Sequence, residues 1–326
     1  VRLVVSIDVE EEGLFTGEYA RGRAPVRNVP WLGRLDPLFR DAGIRPTLLI
    51  SYQVARHPAL GELLGRLGER WRGEIGAHLH PWNTPPLDSQ DGGRPVSSES
   101  RAGAALVAKM ESLEAALGRM GFAPNCFRMG RFNLGPRMLE ILAGKGYAVD
   151  SSVAPMRCYG AGPDHLRAPC DPYFPDPADP ASPGGSPLLE VPLTIVPVVP
   201  GLGRLLERAR ERNLVPRTWV SLLASRAGSL PVQPVWTGLG RMKLAARLHR
   251  RRGGRVLNLF FHSSELMPGG SPAHPSEAHV ERFLARLGRM TRWLLEEMDA
   301  LPVTLSSLAN PGPGRCHAPA AHDDPA

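Results

Sequence analysis

Three short apolar runs, separated by two amphipathic stretches, open this chain. Arg2–Asp8 carries Leu3, Val4, Val5 and Ile7, Pro46–Ser51 is a second run, and Glu74–His78 is a third. Apolar runs this short, bounded by polar and turn residues, read as buried strands. Between them, Val29–Ala42 sets Trp31, Leu32, Leu35, Leu38 and Phe39 at helical spacing and stops at Gly43, a helix C-cap. Pro58–Trp71 repeats the pattern with Leu60, Leu63, Leu64 and Leu67. The order β-α-β-α-β predicts an α/β fold with a parallel sheet or barrel. Such folds place their chemistry where the strands exit.

The exits of these strands are polar. Ser6-Ile7-Asp8-Val9-Glu10 ends the first, and Glu74-Ile75-Gly76-Ala77-His78-Leu79-His80-Pro81-Trp82 contains the third. Asp8 and Glu10 are two residues apart, as are His78 and His80, so each pair shares a strand face. One or two carboxylates with two imidazoles form the ligand set of a catalytic divalent metal with an open position. One carboxylate ligates and the other accepts a proton. Glu11 and Glu12 follow directly and leave the choice between carboxylates open.

Two later segments have the same character. Phe127-Arg128-Met129-Gly130-Arg131-Phe132-Asn133 follows a short strand, and arginine there serves to orient a carboxylate or to hold an anionic group of a substrate. Leu257-Asn258-Leu259-Phe260-Phe261-His262-Ser263-Ser264-Glu265 brings an imidazole to a strand's exit. His262 is a candidate general acid for a departing amine, with Glu265 to orient the ring or bind substrate. The other histidines have no comparable context.

The rest of the chain continues the alternation. Asn83–Val96 reads as a loop, Ser98–Met120 as a helix, Asn125–Arg128 as a strand, Gly135–Lys145 as a helix and Tyr147–Ser151 as a strand. Ala154–Pro187 is a proline-rich excursion, a candidate lid or substrate wall. Leu188–Val199 alternates like a strand. Leu202–Asn213, Thr218–Ala227 and Leu239–Arg252 read as helices of an insertion over about residues 200–254. Val256–Phe261 is a strand, Ser276–Ala300 a long helix with Ser276 as N-cap, and Val303–Leu305 a closing strand. A single domain over 1–309 and a disordered tail over 310–326 are expected.

Charge and cysteine usage narrow the function classes. The net charge is +7, but 36 of the 39 basic residues are arginine, a bias that GC-rich coding also produces. The one dense cluster, Arg247-Leu248-His249-Arg250-Arg251-Arg252, has no interleaved aromatic residues, so no nucleic-acid partner is expected, and it reads as a solvated helix end. Cys126, Cys158, Cys170 and Cys316 form no C-x-x-C pair and read as free thiols. No apolar run is long enough to span a bilayer. The chain opens on a core strand with no leader ahead of it, so the expected location is the cytoplasm.

Taken in order, the four polar strand ends resemble the NodB-homology polysaccharide deacetylases, carbohydrate esterase family 4 in the broad sense. The Glu74–Trp82 segment is similar to the WalW-like branch, and the resemblance runs from about Val1 to Leu308. It implies a distorted (β/α) barrel of about seven strands and a divalent metal, zinc above all. It also implies hydrolysis of a non-peptide C–N bond, with an N-acetylated sugar or glycoside as substrate. Carried over, Asp8 is the base, His78 and His80 are ligands, Arg128 tethers the base and His262 is the acid. Trp82, Arg131 and Glu265 are then candidates for substrate contact.

The chain departs from the common motifs twice. Val9 stands where the second of two adjacent aspartates is usual, so the third ligand is Glu10 or Asp8 itself, with Glu10 preferred by analogy with Asp-x-Asp and Asp-x-Glu branches. The histidines are spaced i, i+2 rather than i, i+4, where Trp82 stands. These departures keep an alternative in view: an inactive barrel that binds a glycan or scaffolds a glycan-biosynthesis complex.

Overall fold

A computed structural model describes residues 1–16, 19–89, 91, 97–158 and 163–309. The expected tail over 310–326, with Cys316, lies outside the described residues, as does part of the Asn83–Val96 loop.

Seven parallel strands form one curled sheet, a half-barrel. They are β1 (Arg2–Val9), β2 (Pro46–Ser51), β3 (Glu74–Leu79), β4 (Cys126–Met129), β5 (Val149–Asp150), β6 (Leu189–Glu190) and β7 (Val256–His262). Their order across the sheet is β7-β1-β2-β3-β4-β5-β6. An eighth strand, β8 (Leu301–Pro302), pairs with the start of β1. The apolar runs are buried on both faces, which is why they read as unbroken rather than alternating.

Apart from two four-residue turns, Tyr52–Ala55 and Ser306–Ala309, the α-helices among the described residues are α1 (Asp36–Asp41), α2 (Ala59–Trp71), α3 (Gly103–Arg119), α4 (Pro136–Gly144), α5 (Leu202–Glu211), α6 (Arg217–Leu222), α7 (Leu239–Arg251) and α8 (Glu277–Glu297). One large core cluster joins β1–β4 and β7 to α2, α3, α4, α7 and α8 through residues such as Leu48, Phe127, Leu113, Leu139 and Phe283. No helix among the described residues is long and apolar enough to cross a membrane.

The register carries the argument forward. Asp8 is the Cα partner of His262, Ser51 of His78, and His78 of Arg128. Backbone pairing alone therefore brings residues from five strands to one end of the sheet.

Several expected elements differ in detail, and prolines account for two of the differences. Val29–Ala42 is a 3₁₀ helix over Val29–Leu35 followed by α1, because Pro37, inside the expected helix, lacks the N–H that one continuous α-helix needs there. Leu188–Val199 is two pieces: β6, and Ile195–Pro197, which pairs antiparallel with Ser229–Pro231. Pro192 lies between them. Ser98–Met120 begins as one 3₁₀ turn, and α3 starts only at Gly103 because Arg101 and Ala102 are extended. The proline-rich excursion holds a short hairpin, Pro175–Asp176 with Asp179–Pro183, tied to the sheet through Tyr173 and Glu190. The expected strand at Val303–Leu305 lies earlier, at β8, with only the Val303 N–H still bonding to Leu3. Ser276 does precede α8, but its hydroxyl meets the Nδ1 of His279 rather than a helix N–H.

Candidate active site

Glu10, His78 and His80 converge beyond the ends of β1 and β3. The His78 Nε2 lies 3.2 Å from Glu10 Oε2, the His80 Nε2 lies 3.3 Å from the same oxygen, and the two Nε2 atoms are 2.9 Å apart. All three side chains are buried. Ligand atoms on a tetrahedral centre with bonds of about 2.0–2.1 Å stand about 3.3 Å from one another, so this spacing suits one cation. Two imidazole nitrogens this close to each other and to a carboxylate need a shared positive charge, a proton or a metal. These three are the group of metal-type side chains that gathers among the described residues.

The ring orientations are set from behind. The His78 Nδ1 donates to the backbone carbonyl of Arg128 at 2.9 Å, and the His80 Nδ1 to Glu11 Oε1 at 2.8 Å. With Nδ1 so engaged, each ring would offer its Nε2 to a metal once that nitrogen is deprotonated. Glu11 in turn accepts from Ser51 Oγ at 2.9 Å and Asn83 Nδ2 at 2.6 Å. Burial opposes its ionisation, but the charge and hydrogen bond of His80 hold its carboxyl below the usual range. Burial likewise opposes charge on His80, yet Glu11 and Glu10 push its pKa up to about 10. Glu10 is held low against its own burial by His262, His78 and His80.

Asp8 lies beside this group. Its Oδ1 accepts from Arg128 Nη1 at 2.6 Å, and its Oδ2 is 4.0 Å from the His78 Nε2. The buried Arg128 also donates to the Ser151 carbonyl at 2.8 Å, Ser6 Oγ at 2.8 Å and Ser151 Oγ at 2.9 Å. Its guanidinium sits over the rings of Phe132 and Phe260. On the far side, the His262 Nε2 is 3.9 Å from Asp8 Oδ2 and 4.0 Å from Glu10 Oε1. Burial works against charge on His262, but Glu10, Glu265 and Asp8 raise its pKa to about 10. That is the direction a general acid needs.

No family model matches this chain, and no curated protein sequence matches it. Solved structures do. A candidate glycoside hydrolase/deacetylase from Parabacteroides distasonis shares 12% identity over 94% of this chain and 70% of its own, with a TM-score of 0.63. A candidate polysaccharide deacetylase from Mycobacterium smegmatis shares 16% over 98% and 95%, with a TM-score of 0.51. The PuuE allantoinase shares 15% over 94% and 88%, with a TM-score of 0.51. The fold is that of the polysaccharide deacetylases. In this deacetylase-type sheet the four segments singled out in the sequence lie together at one end, around the Glu10–His78–His80 cluster.

A cavity of about 310 Å³ opens over the cluster, walled by Leu14, Phe15, Tyr19, Trp82, Arg131 and Phe132. Trp82 stacks on the His80 ring at 4.3 Å. Arg131 donates to the Tyr19 hydroxyl and lies over its ring. Arg131 and Phe132 are both left-handed, with φ of 57° and 55°, an unusual state for side-chain-bearing residues that turns this loop toward the cavity. Gly130 precedes them because a Cβ there would stand 2.5 Å from His80 Cδ2. Glu265, expected among the substrate contacts, is fully buried and absent from the cavity wall. It accepts from the His262 backbone N–H at 3.0 Å, and its Oε1 lies 3.4 Å from that ring's Nδ1. A second cavity of about 340 Å³, between Asn133–Pro136 and Pro163–Ala181, holds no converging ligand set.

Sequence reading missed Glu11, Phe15, Tyr19, Phe132 and the anchor of the loop after the histidines. That anchor is Lys109, buried on α3, which donates to the carbonyls of Thr84 (2.8 Å) and Pro86 (2.6 Å) and to Asp91 Oδ2 (2.9 Å). A lysine among Leu106, Met110 and Leu113, on an otherwise apolar helix face, was its signal. The arginine cluster near residue 250 closes α7. There His249 bonds to the Val256 carbonyl, and Arg252 donates to the carbonyls of Pro197 and Val198.

Proposed function

We propose that this chain is a metal-dependent hydrolase that removes an N-acetyl group from a sugar. One observation carries the reading: the Glu10–His78–His80 cluster, the tethered Asp8 carboxylate and the His262 imidazole all face one cavity. Glu10, His78 and His80 would hold the metal, and two imidazoles with one carboxylate favour zinc. When bound, it would supply Lewis acidity toward the amide carbonyl and the attacking water.

The protein's own groups do the proton work. Asp8 Oδ2 takes a proton from the water as its oxygen bonds to the acyl carbon. Arg128 holds the other carboxylate oxygen, so the base keeps one orientation. The C–N bond breaks as His262 Nε2 delivers its proton to the departing nitrogen, and acetate and a free amine result. The aromatic walls suit the apolar face of a pyranose ring. An inactive glycan-binding barrel has no use for a tethered carboxylate with an imidazole 3.9 Å away beside the ligand cluster.

The same reading makes 1–309 one catalytic unit interrupted over about 200–254, and places the chain in the WalW-like branch on its Glu74–Trp82 segment. Free Cys126, Cys158 and Cys170 fit a reducing cytoplasm. The test is acetate release from N-acetylhexosamine oligomers with the metal assayed in parallel. Wild type should carry about one divalent ion per chain. His78→Ala should lose it, and His262→Ala should retain it without turnover. Stability unaffected by chelation, together with no acetate release under any divalent metal, rejects the reading.

A further inference from the structure

The segment Leu202–Ala227 turns apolar side chains outward. Trp219 is 57% exposed, Leu222 42% and Leu223 43%, while Leu205 is 64% and Leu214 70% exposed. Trp219, Leu222 and Leu223 stand at i, i+3 and i+4, so they form one stripe along α6 and the π-helical turn that continues it over Leu223–Ala227. The opposite stripe, Val220 and Ala224, is buried in a cluster with Leu206, Ile195 and Phe260, against which Phe132 packs. The helix therefore already has its core contact. A second apolar stripe in water is the mark of a surface that meets something else.

The charge on the same segment says what. Six arginines against two glutamates leave Leu202–Ala227 with a net +4, more than half of the whole chain's +7. Arg204, Arg208, Arg212 and Arg226 are exposed, and no carboxylate pairs with them among the described residues. Exposed leucines and a tryptophan interleaved with unpaired arginines match the chemistry of an anionic lipid surface, apolar in depth and negative at the headgroups. Residues 310–326 are a poor occupant, since they contain no leucine, isoleucine, valine, methionine, phenylalanine, tyrosine or tryptophan.

We propose that Leu202–Ala227 docks this protein peripherally on a membrane of anionic lipid. Trp219, Leu222 and Leu223 enter the headgroup boundary, and the arginines meet lipid phosphates. Phe132, which walls the cavity, packs against the same cluster that holds this segment's buried stripe, so one apolar cluster links the two faces.

Full-length protein is sedimented with phosphatidylcholine vesicles, with and without phosphatidylglycerol. Binding should appear only with the anionic lipid and fall at high salt. The triple variant Trp219→Ser, Leu222→Ser, Leu223→Ser should bind on the order of tenfold more weakly or worse. Arg204→Glu with Arg208→Glu should do the same, both with unfolding midpoints near wild type. No binding to anionic vesicles, or equal binding by both variants, overturns the proposal. So does a wild-type dimer in light scattering that the triple serine variant turns to monomer, because a second copy then covers the stripe. None of these outcomes depends on acetate release.

Discussion

Arg128 and Asp8 form a buried ion pair of 2.6 Å that uses only one of the two carboxylate oxygens. The division matters. Oδ1 is committed to positioning, and Oδ2 remains for chemistry beside the His78 and His262 nitrogens. Asp8→Asn is nearly isosteric and should retain the metal while losing about 10²–10⁴-fold in turnover, the usual share of a general base. Metal content with single-turnover acetate release checks it, and a loss of metal would assign Asp8 to the ligands instead.

Arg128→Met removes one partner of that pair and strands the other. Breaking a buried pair from one side costs about 3–5 kcal/mol. Urea unfolding should show a loss of that order, with Asp8→Asn/Arg128→Met losing less than Arg128→Met alone. Equal losses would mean the two side chains are not coupled.

Glu11 should behave as a support for His80. Replacing it with glutamine keeps the shape and removes the charge, and such changes behind a ligand weaken metal binding by about 10–100-fold. Competition against a coloured chelator measures this directly. Gly130→Ala should act on the same ring by steric contact, and unchanged affinity in both variants would remove the argument for a back-braced His80.

Asp150 and Glu190 are register partners on β5 and β6, both buried. Burial raises both carboxyls, and the Asp150 charge lifts Glu190 well above its ordinary value. The folded protein thus keeps a proton that the unfolded chain releases in the ordinary carboxylate range. Its stabilising effect is complete below that range and is lost as pH rises through the raised Glu190 pKa. Unfolding free energy from urea titrations should fall toward alkaline pH, and Glu190→Gln should flatten the slope. An equally steep slope in the variant would assign the dependence elsewhere.

Metal removal gives a stability test of its own. A ligand present at 100 times its dissociation constant stabilises the native state by about 2.7 kcal/mol. Calorimetry with excess zinc and after chelation should separate by that order, and His78→Ala should abolish the difference.

The strands were legible because their burial is two-sided and their apolar runs unbroken, as in Leu3–Ile7 and Leu257–Phe261. The ligand cluster was legible because Asp8, Glu10, His78 and His80 all stand at strand exits. Glu11 was not, because period-two reasoning ends with the strand at Val9, and the turn beyond it brings Glu10 and Glu11 to the two sides of His80. The cavity walls were hidden for a similar reason. Phe15 and Tyr19 lie in a stretch without periodicity, and the left-handed turn at Arg131 and Phe132 has no signature in residue types that usually avoid it. Glu265 looked like a pocket residue because it is polar and three places beyond His262, a spacing that in a short helical turn folds it back beneath the ring.

The pairing of Asp8 with His262 on neighbouring strands has a further consequence. Parallel strands lie about 4.8 Å apart, a spacing fixed by main-chain hydrogen bonds rather than by side-chain choice. The proposed proton acceptor and donor are thus mounted on a rigid ruler that no loop movement resets. Adaptation to a new substrate has to work around a fixed gauge, by recutting the walls at Leu14, Phe15, Tyr19, Arg131 and Phe132 while the distance between Asp8 and His262 stays as the sheet made it.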